Sequence, residues 1–217
     1  MSWSDIFYPE NPEKREKIIR RSQELIDLMK DNFEATNSLI EIVNKHLHSS
    51  FSPITLDEKA TLQENCDVMI ERVKQIQAKV EEADEELKKK LDPALYEKLQ
   101  HMSLKDLKYV SAAVKSAISS VCQLPALALV MHLKKIMTIL IGITCTCAIY
   151  SVGIFAAVLF GLAVNAIFSA IVGHIEQGKL NTALEEYEKA LAEFRPASKE
   201  YQKAINEIGF MLEFLKE

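Results

Sequence analysis

The reactive side chains of this chain are few and poorly spaced for chemistry. Its four cysteines, Cys66, Cys122, Cys145 and Cys147, make no disulfide framework. Cys145 and Cys147 stand two apart in an apolar run, so on a helix they point away from each other. Reduced, buried thiols are expected, with palmitoylation the other reading for a thiol near a membrane surface. His46 and His48 are also two apart, at the end of an expected helix, and face apart. That spacing favours a surface or capping role over metal binding. There is no zinc-ligand spacing, no glycine-rich phosphate loop and no nucleophile elbow. No metal, cofactor or catalytic residue is expected, and the chain reads as a non-enzyme.

Lys14, Arg15, Lys17, Arg20 and Arg21 form a basic cluster, but Glu13 and Glu16 interleave with it and the net charge is −5. A solvated helix face is expected, with anionic lipid headgroups the other reading and no nucleic-acid partner. What remains is the chemistry of association. Gly153, Ala157, Gly161, Asn165, Ser169 and Gly173 recur at every fourth position. Small residues at that spacing let two helix backbones approach, and Asn165 and Ser169 could hydrogen-bond across the contact.

A membrane helix must position that stripe. From Leu107 to Ile175 there is no Asp or Glu, and the basic residues are Lys108, Lys115, Lys134 and Lys135. Between Lys135 and Glu176 lie 40 residues without a formal charge, although the mean hydropathy of the whole chain is −0.00. A bilayer core of about 30 Å takes about 20 helical residues. One span at about 149–172 is expected. The upstream piece 136–148 reads as an extension, a re-entrant arm or the second leg of a hairpin. Residues 116–133, broken by Pro125, read as a buried or interfacial helix. The first 17 residues carry no apolar signal region, so insertion is expected to use the internal segment. Lys134 and Lys135 before the span against Lys179 after it favour a cytosolic N-terminal half.

Heptad-patterned helices flank this centre. Asn11 and Pro12 read as a helix start. Ile19, Ser22, Ile26, Met29, Phe33, Thr36, Ile40, Val43 and Leu47 then alternate at three and four. After a turn at 49–53, Thr55 and Glu58 read as a capping box. A second seam follows at Leu62, Cys66, Met69, Val73, Ile76, Val80, Ala83 and Leu87. The charge run 81–90 reads as a solvated face, Asp92-Pro93 as a stop and restart, and Ser103 with Asp106 as a further start. The short connection predicts that the two long helices form an antiparallel hairpin. The last segment carries a coiled-coil seam at Leu180, Leu184, Tyr187, Leu191, Phe194, Ser198, Tyr201, Ile205, Ile208, Leu212 and Leu215, with Pro196 expected to bend or interrupt it.

The blocks Tyr8-Pro9-Glu10-Asn11-Pro12, Glu64-Asn65-Cys66-Asp67, LDPALYEKLQ from Leu91 to Gln100, and Tyr187 to Glu207 resemble the single-pass membrane and coiled-coil domain-containing protein 3 family. The resemblance implies a small membrane protein with one span and coiled-coil flanks, and it carries over no activity and no catalytic residue.

The expectation is thus an all-α chain in three parts: a helical hairpin at 1–106, an apolar membrane region at 107–175 and a coiled-coil helix at 176–217. Its function would be that of a non-enzymatic membrane scaffold or adaptor. Its partners would be the lipid bilayer and either further copies of itself or another coiled-coil protein. The alternative is a helical bundle that shelters and inserts an apolar hairpin, similar in architecture to α-helical pore-forming proteins.

Overall fold

The computed structural model describes residues 9–149 and 173–215. Among these the chain is all-α, with seven helices and no strand. They are α1 (Asn11–Leu47), α2 (Leu62–Lys90), α3 (Pro93–His101), α4 (Leu104–Lys108), α5 (Ala112–Ser119), α6 (Leu124–Ile149) and α7 (Gly173–Phe214). Two compact units share them: one of Met1–Phe33, Thr55–Val68 and Ile143–Glu200, the other of Glu34–Ile54, Met69–Gly142 and Tyr201–Glu217.

In the first unit, apolar side chains at seam spacing supply the core. Ile18, Leu25, Met29 and Phe33 of α1, Leu62 and Cys66 of α2, and Leu180, Tyr187, Leu191 and Phe194 of α7 are all buried. Each full burial of such a side chain contributes about 1.5–3 kcal/mol before chain entropy is counted. The α1 seam begins one residue earlier than its spacing suggests: Ile18 is 1% exposed and Ile19 is 42% exposed. Two adjacent isoleucines fit either phase, and Leu25, seven residues on from Ile18, fixes the one adopted. Arg21 Nε donates to Glu188 at 2.6 Å, Arg195 to Glu24, and Ser198 Oγ to Asn32 Oδ1 at 2.7 Å. Both residue numbers rise together through these pairs, so α1 and α7 run parallel here. Asn11 is the first residue of α1, and its amide is fully buried without a hydrogen-bond partner instead of capping the helix.

The capping box of α2 lies six residues beyond the expected Thr55 and Glu58. Thr61 N donates to Glu64 Oε2 at 2.7 Å, and Glu64 N donates to Thr61 Oγ1 at 3.1 Å. Both sites have the Thr-x-x-Glu spacing. Asn65 favours the later start: Asp57 N donates to its Oδ1 at 2.9 Å, and its Nδ2 donates to Asp57 O at 3.0 Å. That grip keeps the backbone at Asp57 outside the helix.

In the second unit the connection after α1 turns back along that helix. Asn44 donates to Phe51 O and accepts from Phe51 N, both at 2.9 Å. Seven residues earlier, Asn37 makes the same reciprocal pair with Ile54, at 2.9 and 2.8 Å. The connection is therefore an extended strap laid on α1. The C-terminal ends of α1 and α2 come together as a result, with Leu47 and Leu87 lining one cleft. The all-α class is as expected, but α1 and α2 are parallel and not an antiparallel hairpin. The physical reason is the strap, whose backbone groups the two asparagines satisfy.

Pro125 breaks the segment 116–133 as expected: α5 ends at Ser119 and α6 begins at Leu124, with Pro125 in its first turn, where its missing N–H costs nothing. From there α6 runs on through the expected piece 136–148 as one 26-residue helix. Pro196 does not interrupt α7, which continues through it to Phe214. Asp92 and Ser103 do cap α3 and α4, through Leu95 N at 3.0 Å and Asp106 N at 3.2 Å.

Candidate functional site

The second unit holds a buried charge. Asp84 is 3% exposed, four residues after Val80 and three before Leu87, and so it occupies a seam position of α2. The charge run around it is solvated, but Asp84 is not. Tyr96 Oη donates to its Oδ1 at 2.5 Å, and Lys134 Nζ and Lys88 Nζ lie 2.9 and 3.1 Å from its Oδ2. Lys134 also donates to Tyr96 Oη at 3.2 Å. Burial pushes the Asp84 carboxyl up, yet the hydrogen bonds from Tyr96, Lys134 and Lys88 outweigh it, and its pKa lies below the ordinary value of 3.8. Each partner is delivered by a local rule. Asp92-Pro93 ends α2 and starts α3, which brings Tyr96 back; Pro125 starts α6, which brings Lys134.

This cluster ties down the most apolar described helix. Leu124–Thr144 of α6, 21 residues whose most apolar stretch has a mean hydropathy of 1.8, is long and apolar enough to cross a membrane, and half of that stretch is buried within the protein. Leu127, Leu129, Leu133 and Leu140 are all 0% exposed. Moving the helix into lipid would strip Lys134 from Asp84. It would also carry Lys134 and Lys135 into hydrocarbon, at about 2.5–3.5 kcal/mol each near the helix centre.

Beside the cluster lies a cleft of about 350 Å³. Leu47 of α1, Leu87 of α2, and Leu127 and Val130 of α6 form its apolar floor. Lys45, His46, His48 and Lys90 stand on the rim, and Cys122 lines it half-buried. Burial pushes the Cys122 thiol up, partly offset by the Leu127 N–H. The last turn of α1 brings the negative end of its dipole here, with Lys45 and His46 opposing it. His48 follows the helix with a φ of 50°, in the left-handed region where a chain reversal ends a helix. Lys90 is paired with Glu86 at 3.1 Å.

Both features lie within one matched region: the family described as "Protein of unknown function (DUF4533)" matches residues 14–150, well over half of the chain. The chain belongs to the DUF4533 family. The matched region begins three residues into α1, runs through α6 and ends before the apolar run 152–170. No solved structure matches this DUF4533 chain.

The expected site residues of this family member divide into two groups. Of the α7 seam, Leu180, Tyr187, Leu191, Phe194, Tyr201, Ile205, Ile208 and Leu212 are buried, as is Ser198, while Leu184 and Leu215 are half-buried. This seam packs inside the chain: Tyr201 Oη, for example, shares a hydrogen bond of 2.8 Å with Thr36 Oγ1. Gly153, Ala157, Gly161, Asn165 and Ser169, with nearly all of the expected span at 149–172, lie outside the described residues; Gly173 is the first residue of α7. Four residues of the basic cluster have carboxylate partners, in Lys14–Glu10, Lys17–Glu13, Arg20–Glu16 and Arg21–Glu188. Among the described residues no group of three or more His, Cys, Asp or Glu could hold a metal ion. Asp84 escaped the reading of the sequence, although its seam position between Val80 and Leu87 is a signal that could have found it.

Proposed function

We propose that this protein is a membrane-anchored helical scaffold without enzymatic activity. A single span at about 149–172 fixes it in a bilayer, and its surrounding helices assemble with partners. The observation that carries the reading is the run of 40 residues between Lys135 and Glu176 without a formal charge. The Lys134–Asp84 pair supports assigning the span downstream of α6, because it holds α6 on protein. The resemblance to the single-pass membrane and coiled-coil domain-containing protein 3 family supports the same topology. The α7 seam is occupied within the chain, so association uses outward surface, such as the face of α7 on which Phe210 is 72% exposed. The small-residue stripe from Gly153 to Gly173 offers a second contact, between spans of two copies.

Glycosylation mapping of both termini tests the topology. One span puts them on opposite sides of the membrane; both on the same side overturns it. Gly161→Leu tests the stripe, which predicts weaker dimerisation in detergent; unchanged association removes it.

The inserting-bundle reading draws on a separate observation: α6 satisfies the length and apolarity of a span while half of its most apolar stretch is covered. Carbonate extraction separates the two readings. A scaffold stays with the membrane, whereas a sheltered bundle appears in the soluble fraction.

A further inference from the structure

The geometry points to the cleft at the ends of α1, α2 and α6 as a binding site for a single-chain fatty carboxylate. This assignment does not depend on the number or place of membrane spans. The floor is apolar and buried: Leu87, Leu127 and Val130 are 5%, 0% and 2% exposed. The rim is cationic at one edge. Glu86 neutralises Lys90, whereas Lys45 and His48 have no hydrogen-bond or ion-pair partner among the described residues.

An apolar slot with an unpaired cation at its mouth fits an alkyl tail with an anionic head. A bare phosphate would leave the leucine floor uncovered, and a neutral alcohol would leave Lys45 unused. The volume of about 350 Å³ lies at the lower end of small-molecule sites, about 300–1,000 Å³. It suits one alkyl chain better than the two of a phospholipid. Cys122 lines the same cleft, so a bound chain covers its thiol and the residue reports occupancy.

The test uses the full chain reconstituted in phosphatidylcholine nanodiscs and treated with N-ethylmaleimide. Alkylation of Cys122 is followed by peptide mass spectrometry at matched free concentrations of laurate, dodecanol or inorganic phosphate. Cys66, buried in the first unit, controls for general loosening of the protein. Laurate is expected to slow Cys122 alkylation saturably with Cys66 unaffected, and dodecanol and phosphate are not. Lys45→Gln is expected to raise the laurate concentration needed by about tenfold, the effect of one charge-assisted hydrogen bond. His48→Gly removes the imidazole while easing the left-handed backbone, so weaker protection in that variant does not come from a damaged fold. Equal protection by laurate and dodecanol overturns recognition of the head, as does unchanged protection in Lys45→Gln. Protection by phosphate alone overturns the alkyl tail, and no protection by laurate overturns the site.

Discussion

Glu24 and Asp84 each sit between two cations, one from the same helix and one from another. Glu24 of α1 meets Arg21 and Arg195; Asp84 of α2 meets Lys88 and Lys134. In both, hydrogen bonds hold the carboxyl below its ordinary value, from Arg195 and Arg21 at Glu24 and from Tyr96, Lys134 and Lys88 at Asp84. Their surroundings differ. The Glu24 side chain is 33% exposed and its arginines 37% and 40%, whereas the Asp84 side chain is 5% exposed. Water reaches the Glu24 carboxylate but not that of Asp84, although Lys88 and Lys134 are 41% and 31% exposed. The same pattern of charges therefore trims the surface in one unit and fixes the interior in the other, where it ties α6 to α2.

The largest expected effect comes from removing the buried charge. Asp84→Asn leaves two ammonium groups facing one neutral amide, and unfolding by urea is expected to show a loss of about 2–4 kcal/mol. Lys134→Met should cost less, because Lys134 is 31% exposed and Lys88 still serves the carboxylate. A loss below about 1 kcal/mol for Asp84→Asn would put the cluster in the class of exposed pairs and erase the contrast.

The strap offers an uncharged counterpart in the second unit. Asn44→Ala strips Phe51 of the partner for its N–H and the partner for its C=O. Leaving part-buried backbone groups unpaired costs about 1–3 kcal/mol. Amide exchange gives a local readout: the Phe51 N–H should exchange faster in Asn44→Ala and the Ile54 N–H in Asn37→Ala. Unchanged exchange at both would mean that the strap is held by something other than these amides.

Acid reaches the two carboxylates in turn, the glutamate before the aspartate. A carboxyl whose pKa is depressed by folding contributes stability above its unfolded value and loses it as pH falls through the folded one. For Glu24 the loss begins below the ordinary glutamate value of 4.5, for Asp84 only below the ordinary aspartate value of 3.8. Stability measured by urea titration should fall gently at first and more steeply below pH 3.8. Asp84→Asn should flatten the second part. Asp106, which Ser103 also holds low, contributes to both curves; a wild type and an Asp84→Asn variant that lost stability in parallel below pH 3.8 would argue against a buried, ionised Asp84.

How much of this was legible follows the kind of interaction. The α2 and α7 seams and the caps at Asp92 and Ser103 can be read from the sequence, because periodicity and capping act within a few residues. The capping box of α2 cannot, because Thr55-x-x-Glu58 and Thr61-x-x-Glu64 are locally equivalent. The choice rests on Asn65, whose amide grips Asp57. Asn37 and Asn44 look like residues of a solvated helix face; their work for the strap is a tertiary fact, and it reverses the direction of α2 against α1. Asp84 hides among charges that really are solvated, and the spacing that betrays it works only if a carboxylate is allowed on an apolar seam. The cleft gathers the ends of several helices, which no single segment displays.

The exposed pair supplies the smallest effect. Glu24→Gln keeps the length of the side chain and removes its charge, so Arg21 and Arg195 each lose an ionic partner in a place water reaches. Pairs of this exposure contribute about 0–1 kcal/mol, and salt screens them. The variant should therefore unfold within about 1 kcal/mol of the wild type, and raising the ionic strength should close most of the gap. The same rise should hardly change the difference between Asp84→Asn and wild type, because buried charges are screened much less. If the two differences responded to salt alike, burial would not be what separates the carboxylates. The hold on α6 would then rest on its leucine packing alone.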